Sequence, residues 1–161
     1  MQRYVWTHLT RQQIGAYAEY FVKMELTMYG FQVYSSEVDD RGIDFVARYG
    51  DGPSIEVQVK SLRTGGYVFM PKQKFNLAEH RYLALARFSE EKPPDLYLVP
   101  SLVWATRSDA ASKIFVSRDY EGLKSDPEWG LNVSRKNAPA LQPFRFENTV
   151  ESLTKGIVIG S

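Results

Sequence analysis

The chain contains no cysteine. That removes disulfides, thiolate zinc sites and cysteine nucleophiles together, and it fits a reducing compartment. Net charge is almost absent too: 20 Lys and Arg against 19 Asp and Glu leave +1. No global field draws in a polyanion or an anionic membrane, so such a partner has to meet a local patch. Long apolar runs are also missing. The opening residues, Met1-Gln2-Arg3-Tyr4-Val5-Trp6, lack the apolar core of a secretion signal. Nothing approaches the ~20 residues needed to cross a bilayer. The expectation is a cytoplasmic protein with no membrane partner, and the glycosylation-like triplet Asn132-Val133-Ser134 is discounted on that ground. There is no phosphate-cradling Gly-rich loop opening a helix, no HExxH pair and no nucleophile elbow. No internal repeat or low-complexity tract is visible.

What is present suits one domain spanning residues 1–161, with 43% hydrophobic and 24% charged residues to build a core and a surface. Thr10 and Gln13 have capping-box spacing, and Leu9 and Ile14 stand where a hydrophobic staple would. Tyr17, Phe21, Met24 and Met28 recur at helical spacing, with a second strip at Ala18, Val22 and Leu26, and Gly30 reads as the stop. Residues 31–36 alternate as a strand, and turn-forming residues follow from Glu37 to Arg41. Residues 42–48 form a second strand, 49–54 a hairpin loop and 55–62 a third strand. Residues 67–70 form a short apolar piece, and 72–83 are expected to be helical. Residues 96–100 read as a central buried strand, and 101–105 as its continuation or a short helix. Residues 114–117 read as a strand, 119–129 as irregular surface, and 141–153 as a closing helix. The implied architecture is an α/β layer arrangement on a mixed central sheet, in the order α-β-β-β-α-β.

One polar group stands out against that background. In the third strand Ile55, Val57 and Val59 point one way and Glu56, Gln58 and Lys60 the other. A hairpin through 49–54 brings Asp44, flanked by Ile43 and Phe45, beside them. A carboxylate, an amide oxygen and an ammonium then converge. Magnesium, or manganese in its place, takes oxygen ligands, commonly one or two carboxylates with waters and phosphate oxygens. Asp44 supplies the carboxylate, Gln58 a neutral oxygen, and the backbone carbonyl near Val59 a third donor. Lys60 is placed to orient an attacking water or to stabilise charge on a phosphate. Taken without Asp44, the same strand reads as the wet face of an amphipathic strand.

The stretch Gly42-Ile43-Asp44, a short hairpin and Val57-Gln58-Val59-Lys60-Ser61 resemble the PD-(D/E)XK superfamily of restriction-endonuclease-like nucleases. The resemblance covers roughly the first half of the chain, and is to the branch with glutamine for the second acid, as in Mrr-like enzymes. It implies an α/β/α nuclease core, a Mg2+- or Mn2+-dependent phosphodiester cleavage, DNA as substrate, and Asp44, Gln58 and Lys60 as the site. It also implies a helix acid, which Glu19 matches. A homodimer or a larger nuclease complex would supply specificity that a chain of this length lacks. The pattern's proline is absent before Asp44, and Gln58 lowers the site's negative charge. Glu56 is a candidate outer-shell acid. The competing reading is a non-catalytic module of the same fold that binds nucleic acid or a protein.

Residues 60–87 carry six bases against one acid, +5 in a chain of +1. Arg63, Lys72, Lys74, His80 and Arg81 are therefore either phosphate contacts or an ordinary solvated face. His8 is read as a support for the first helix. Tyr67, Phe69, Tyr82, Trp104 and Trp129 are either stacking surfaces for bases or core, core being the commoner role.

Overall fold

The computed structural model describes residues 2–35, 42–107, 114–120, 122 and 124–159. The turn expected from Glu37 to Arg41 lies outside them. The elements run α1 (Arg11–Met28), β1 (Phe31–Ser35), β2 (Phe45–Tyr49), β3 (Ser54–Arg63), β4 (Gly66–Pro71), β5 (Arg81–Phe88) and β6 (Asp95–Pro100). Then come α2 (Val103–Arg107), β7 (Phe115–Arg118), β8 (Glu128–Val133), a 3-10 helix (Ala138–Phe144) and α3 (Phe146–Thr154).

Helix α1 begins as its sequence predicts. The Gln13 amide donates to Thr10 Oγ1 at 3.1 Å, and the Thr10 amide donates to Gln13 Oε1 at 2.8 Å. The buried face is Ile14, Ala18, Val22 and Leu26, the strip that looked secondary. Met24 and Met28 are exposed instead. Ala18 and Val22 are small enough to bring the helix axis close to the sheet, and Tyr17 and Phe21 pack along its flank.

The main sheet has the order β1-β2-β3-β5-β6. The first three strands form an antiparallel meander, with Phe31 opposite Tyr49 and Phe45 opposite Val57. β3 pairs with β5 in parallel and β5 with β6 antiparallel, so the sheet is mixed. A parallel neighbour requires a crossover. The expected helix over 72–83 does not supply it. The chain makes β4, passes through turns anchored by the buried Phe75, and enters β5 at Arg81. The reason is burial on both faces of β5. Tyr82, Ala84, Ala86 and Phe88 meet the α1 side, and Leu83 and Leu85 meet the other. Leu and Ala favour helices intrinsically, but a two-sided apolar strand overrides so weak a preference. β6 is well buried as expected, yet it lies at the sheet's edge rather than its centre. That edge is closed by a bridge between Tyr97 and Arg145, while the Thr149 hydroxyl donates to the Leu98 carbonyl at 2.7 Å.

The α/β/α expectation holds on one side only. α1 and α3 pack on the face of Val57, Ala84 and Leu98. The opposite face is covered by a second, three-stranded sheet in the order β4-β8-β7, with α2 and the 3-10 helix beside it. β8 falls partly in the segment expected to be irregular. Trp104 locks this layer: it is fully buried, and its Nε1–H donates to the Gly130 carbonyl of β8 at 2.7 Å. Trp104→Ala is expected to cost about 3–5 kcal/mol in urea unfolding. Trp104→Phe, which keeps a ring but removes that hydrogen bond, is expected to cost about 0.5–1.5 kcal/mol for the bond alone.

Candidate active site

Strand alternation puts two populations on β3. Ile55, Val57 and Val59 pack toward α1, and Leu62 packs into the core on the other side, so Glu56, Gln58 and Lys60 share that other face. The β2–β3 register stops at Phe45 opposite Val57, and the Asp44 amide still donates to the Val57 carbonyl at 2.9 Å. Continuing it by one residue sets Asp44 opposite Gln58. Beyond that point the Asp44 side chain replaces β2 as β3's partner: the Val59 amide donates to Asp44 Oδ2 at 2.6 Å. This charge-assisted bond orients the carboxylate. Since N–H and C=O of one strand residue point to the same edge, the Val59 carbonyl also emerges on the Asp44 side.

Gln58 Oε1 is buried and has no hydrogen-bond partner among the described residues. An orphaned buried acceptor is uncommon and costly, which makes a missing electropositive partner the natural account of it. Lys60 is half-buried. Burial pushes its ammonium below the usual lysine range, and the Asp44 charge partly offsets that shift. Asp44 Oδ, Gln58 Oε1 and the Val59 carbonyl are hard oxygen donors, and they fit a divalent cation that completes its shell with water and phosphate oxygens. Among the described residues no three His, Asp or Glu side chains gather into a site, and the donors they bring together here are one carboxylate with neutral oxygens.

Past Val59 the free edge of β3 opens into a groove of about 770 Å³. Arg11 and Gly15 of α1 form one wall, Lys60 and Arg63 of β3 the floor, and Tyr67 and Phe69 of β4 the other wall. Among the described residues its lining holds three cations and no acid. Arg11 was not singled out from the sequence, although a signal existed. A basic residue opening a helix runs against the macrodipole, and the first turn of α1 holds no acid.

The other sequence candidates scatter. Glu19 pairs with Lys23 at 3.1 Å, and Lys23 lies over the Phe45 ring at 5.5 Å. Glu56 is gripped by Arg81, at 2.7 and 3.1 Å, with His80 at 3.5 Å, so its carboxylate is spent on that pair and not beside Gln58. Lys72 binds Asp119 and Ser117, each at 2.7 Å, and lies over Trp129. Arg63 donates to the Leu9 carbonyl, and Arg87 to the Thr64 carbonyl at 3.0 Å. Lys74 is exposed. Most of the basic excess over 60–87 thus holds the fold, while Lys60 and Arg63 also line the groove. Of the aromatics, Tyr82 and Trp104 are core, and Tyr67 and Phe69 line the groove.

Comparison with solved structures places this fold beside two proteins. One is a Holliday junction resolvase, Hjc, from the archaeon Archaeoglobus fulgidus, with a TM-score of 0.54 and 14% identity over 91% of this chain and 98% of that one. The other is a bacterial homing endonuclease, I-Ssp6803I, with a TM-score of 0.53 and 18% identity over 90% of this chain and 94% of that one. The chain therefore shares a mixed α/β fold with these two proteins. No family model matches it, and no curated protein matches it by sequence.

Two tests follow from the geometry. Gly42 has φ +67°, and a Cβ there would lie 2.6 Å from the Lys74 carbonyl oxygen. Gly42→Ala is expected to strain the approach to Asp44, costing about 1–2 kcal/mol for the left-handed conformation alone, read by urea unfolding. Lys60 supplies the second test. Its folded pKa lies below its unfolded one, so the folded state penalises the charged form at every pH below the lowered pKa. That penalty fades as pH rises through the lowered pKa toward the unfolded value. Lys60→Met is expected to be at least as stable as wild type at pH 7, with the advantage shrinking as pH rises toward the ordinary lysine value of 10.5 in paired denaturant melts.

Proposed function

We propose that the protein is a divalent-metal-dependent endonuclease of the restriction-endonuclease-like class, acting on DNA. The observation that carries this reading is the pairing of an oriented Asp44 carboxylate with the orphaned Gln58 oxygen beside Lys60, at the point where β2 leaves β3. The fold likeness to a resolvase and a homing endonuclease supports it.

Asp44, Gln58 and the Val59 carbonyl would hold Mg2+ or Mn2+. When bound, the cation supplies Lewis-acid polarisation of the phosphate and charge neutralisation in the transition state. The chain's own groups do the rest. The Val59 amide fixes the Asp44 carboxylate, so the site costs little reorganisation as the reaction proceeds. Lys60 faces the scissile phosphate, orients the attacking water and stabilises the charge gathering on the non-bridging oxygens. Arg11 and Arg63 engage flanking phosphates along the groove. Glu19, ion-paired with Lys23, would be the helix acid that assists at the metal.

Plasmid cleavage with Mg2+ or Mn2+ tests the assignment. Asp44→Ala and Lys60→Met are each expected to lower the rate at least 100-fold, about 2.7 kcal/mol of barrier. Gln58→Glu is expected to keep activity and tighten Mg2+ binding in calorimetry, because it adds a charged ligand. Cleavage that survives Asp44→Ala overturns the site. A wild type that binds neither metal, with or without DNA, instead supports a non-catalytic module of this fold.

A further inference from the structure

The outer surface of the small sheet carries a feature that phosphodiester hydrolysis does not require. Tyr67 and Phe69 are two apart on β4, so both point away from the core that Val68 and Met70 enter. Their rings are near-parallel, with centroids 6.2 Å apart and planes 20° apart. Tyr67 is fixed on every side: its hydroxyl donates to the buried Glu128, and the Arg118 guanidinium lies over its ring at 4.6 Å. Gly130 faces Phe69 across the β4–β8 ladder, and a Cβ there would come within 2.1 Å of the Tyr67 hydroxyl oxygen. Glycine is what lets Tyr67 lie flat across β8. Phe69 is left 48% exposed, an open ring held against a rigid neighbour.

This pair forms one wall of the groove whose floor carries Lys60 and Arg63. Cations along a free strand edge suit a phosphate backbone, and open aromatic rings suit exposed base faces. In a paired duplex those faces are buried against each other. A groove of about 770 Å³ is in the range of small-ligand sites and can hold a nucleotide that has left the stack.

We propose that the groove takes an unpaired DNA segment, with a base stacked on Phe69 and its phosphates on Arg11 and Arg63. The substrate class is then DNA with single-stranded character next to the scissile bond. The inference rests on the nuclease reading for its choice of nucleic acid, but its test needs no cleavage.

Fluorescence anisotropy in the presence of a chelator compares a single-stranded oligonucleotide with the duplex of the same sequence. Wild type is expected to bind the single strand more tightly. Phe69→Ala is expected to weaken single-strand binding roughly tenfold, the loss of one base–aromatic stack. Phe69→Trp should restore it, and Phe69→Leu, which keeps apolar bulk without a π face, should not. Tyr34→Ala, an exposed aromatic on β1, should change neither affinity. Equal wild-type affinity for the two forms, binding of neither, or full retention in Phe69→Leu overturns the inference. Plasmid cleavage without strand preference in binding would sink this inference and leave the nuclease reading intact. Single-strand preference in a protein that never cleaves would do the reverse.

Discussion

The hydrogen bond from the Val59 amide to the Asp44 carboxylate sits where two strands part company. β2 follows β3 as far as Phe45 and Val57, and among the described residues no strand runs beside β3 on that edge beyond this point. An unpaired, half-buried amide has to be satisfied, and the aspartate satisfies it. One interaction thereby ends the pairing, turns a carboxylate toward Gln58 and Lys60, and leaves the remaining edge of β3 open as a groove. α1 above and β4 below could not both reach that edge if β2 continued along it.

The two halves of the structure divide the work accordingly. α1 and the β1–β2–β3 meander hold the reactive groups on a strand that is partly buried along most of its length. The second sheet supplies a wall, and Trp104 bonded to the Gly130 carbonyl fastens that wall to the core. Gly130 has two duties: its carbonyl receives the tryptophan from inside, and its missing side chain leaves room for Tyr67 outside. Charge is handled with the same economy. The near-neutral total hides a local arrangement in which Glu56 neutralises Arg81 and Asp119 neutralises Lys72, while Arg11, Lys60 and Arg63 gather along one groove.

Where a signal was local, it was legible. Thr10 and Gln13 announced α1 because a capping box involves residues three apart. The β1–β2–β3 meander could be read because strict alternation and a short loop leave little freedom of register, and that register is what brings Asp44, Gln58 and Lys60 together. The helix expected over 72–83 failed because Leu83, Ala84, Leu85 and Ala86 look alike whether buried in a helix or on both faces of a strand. β8 was missed, and with it the second sheet, because nothing near Trp129 reveals that its partners are Met70 and Ser117. The basic excess of 60–87 left two readings open for a similar reason: sequence counts charges but not the carboxylates and carbonyls that long-range folding sets against them.

The order of the ladders also bears on how the chain acquires its shape. α1, β1, β2 and β3 are consecutive and close small loops, whereas β4 must find β8 across most of the remaining chain, pairing Gly66 with Val133. Closing a long loop costs more entropy before any contact repays it, so the meander is the natural nucleus and the small sheet the late arrival. Asp44, Gln58 and Lys60 would then find one another on a nascent sheet whose opposite surface is still wet. Lys60 in particular would meet its partners in water and lose its hydration only as the last layer docks.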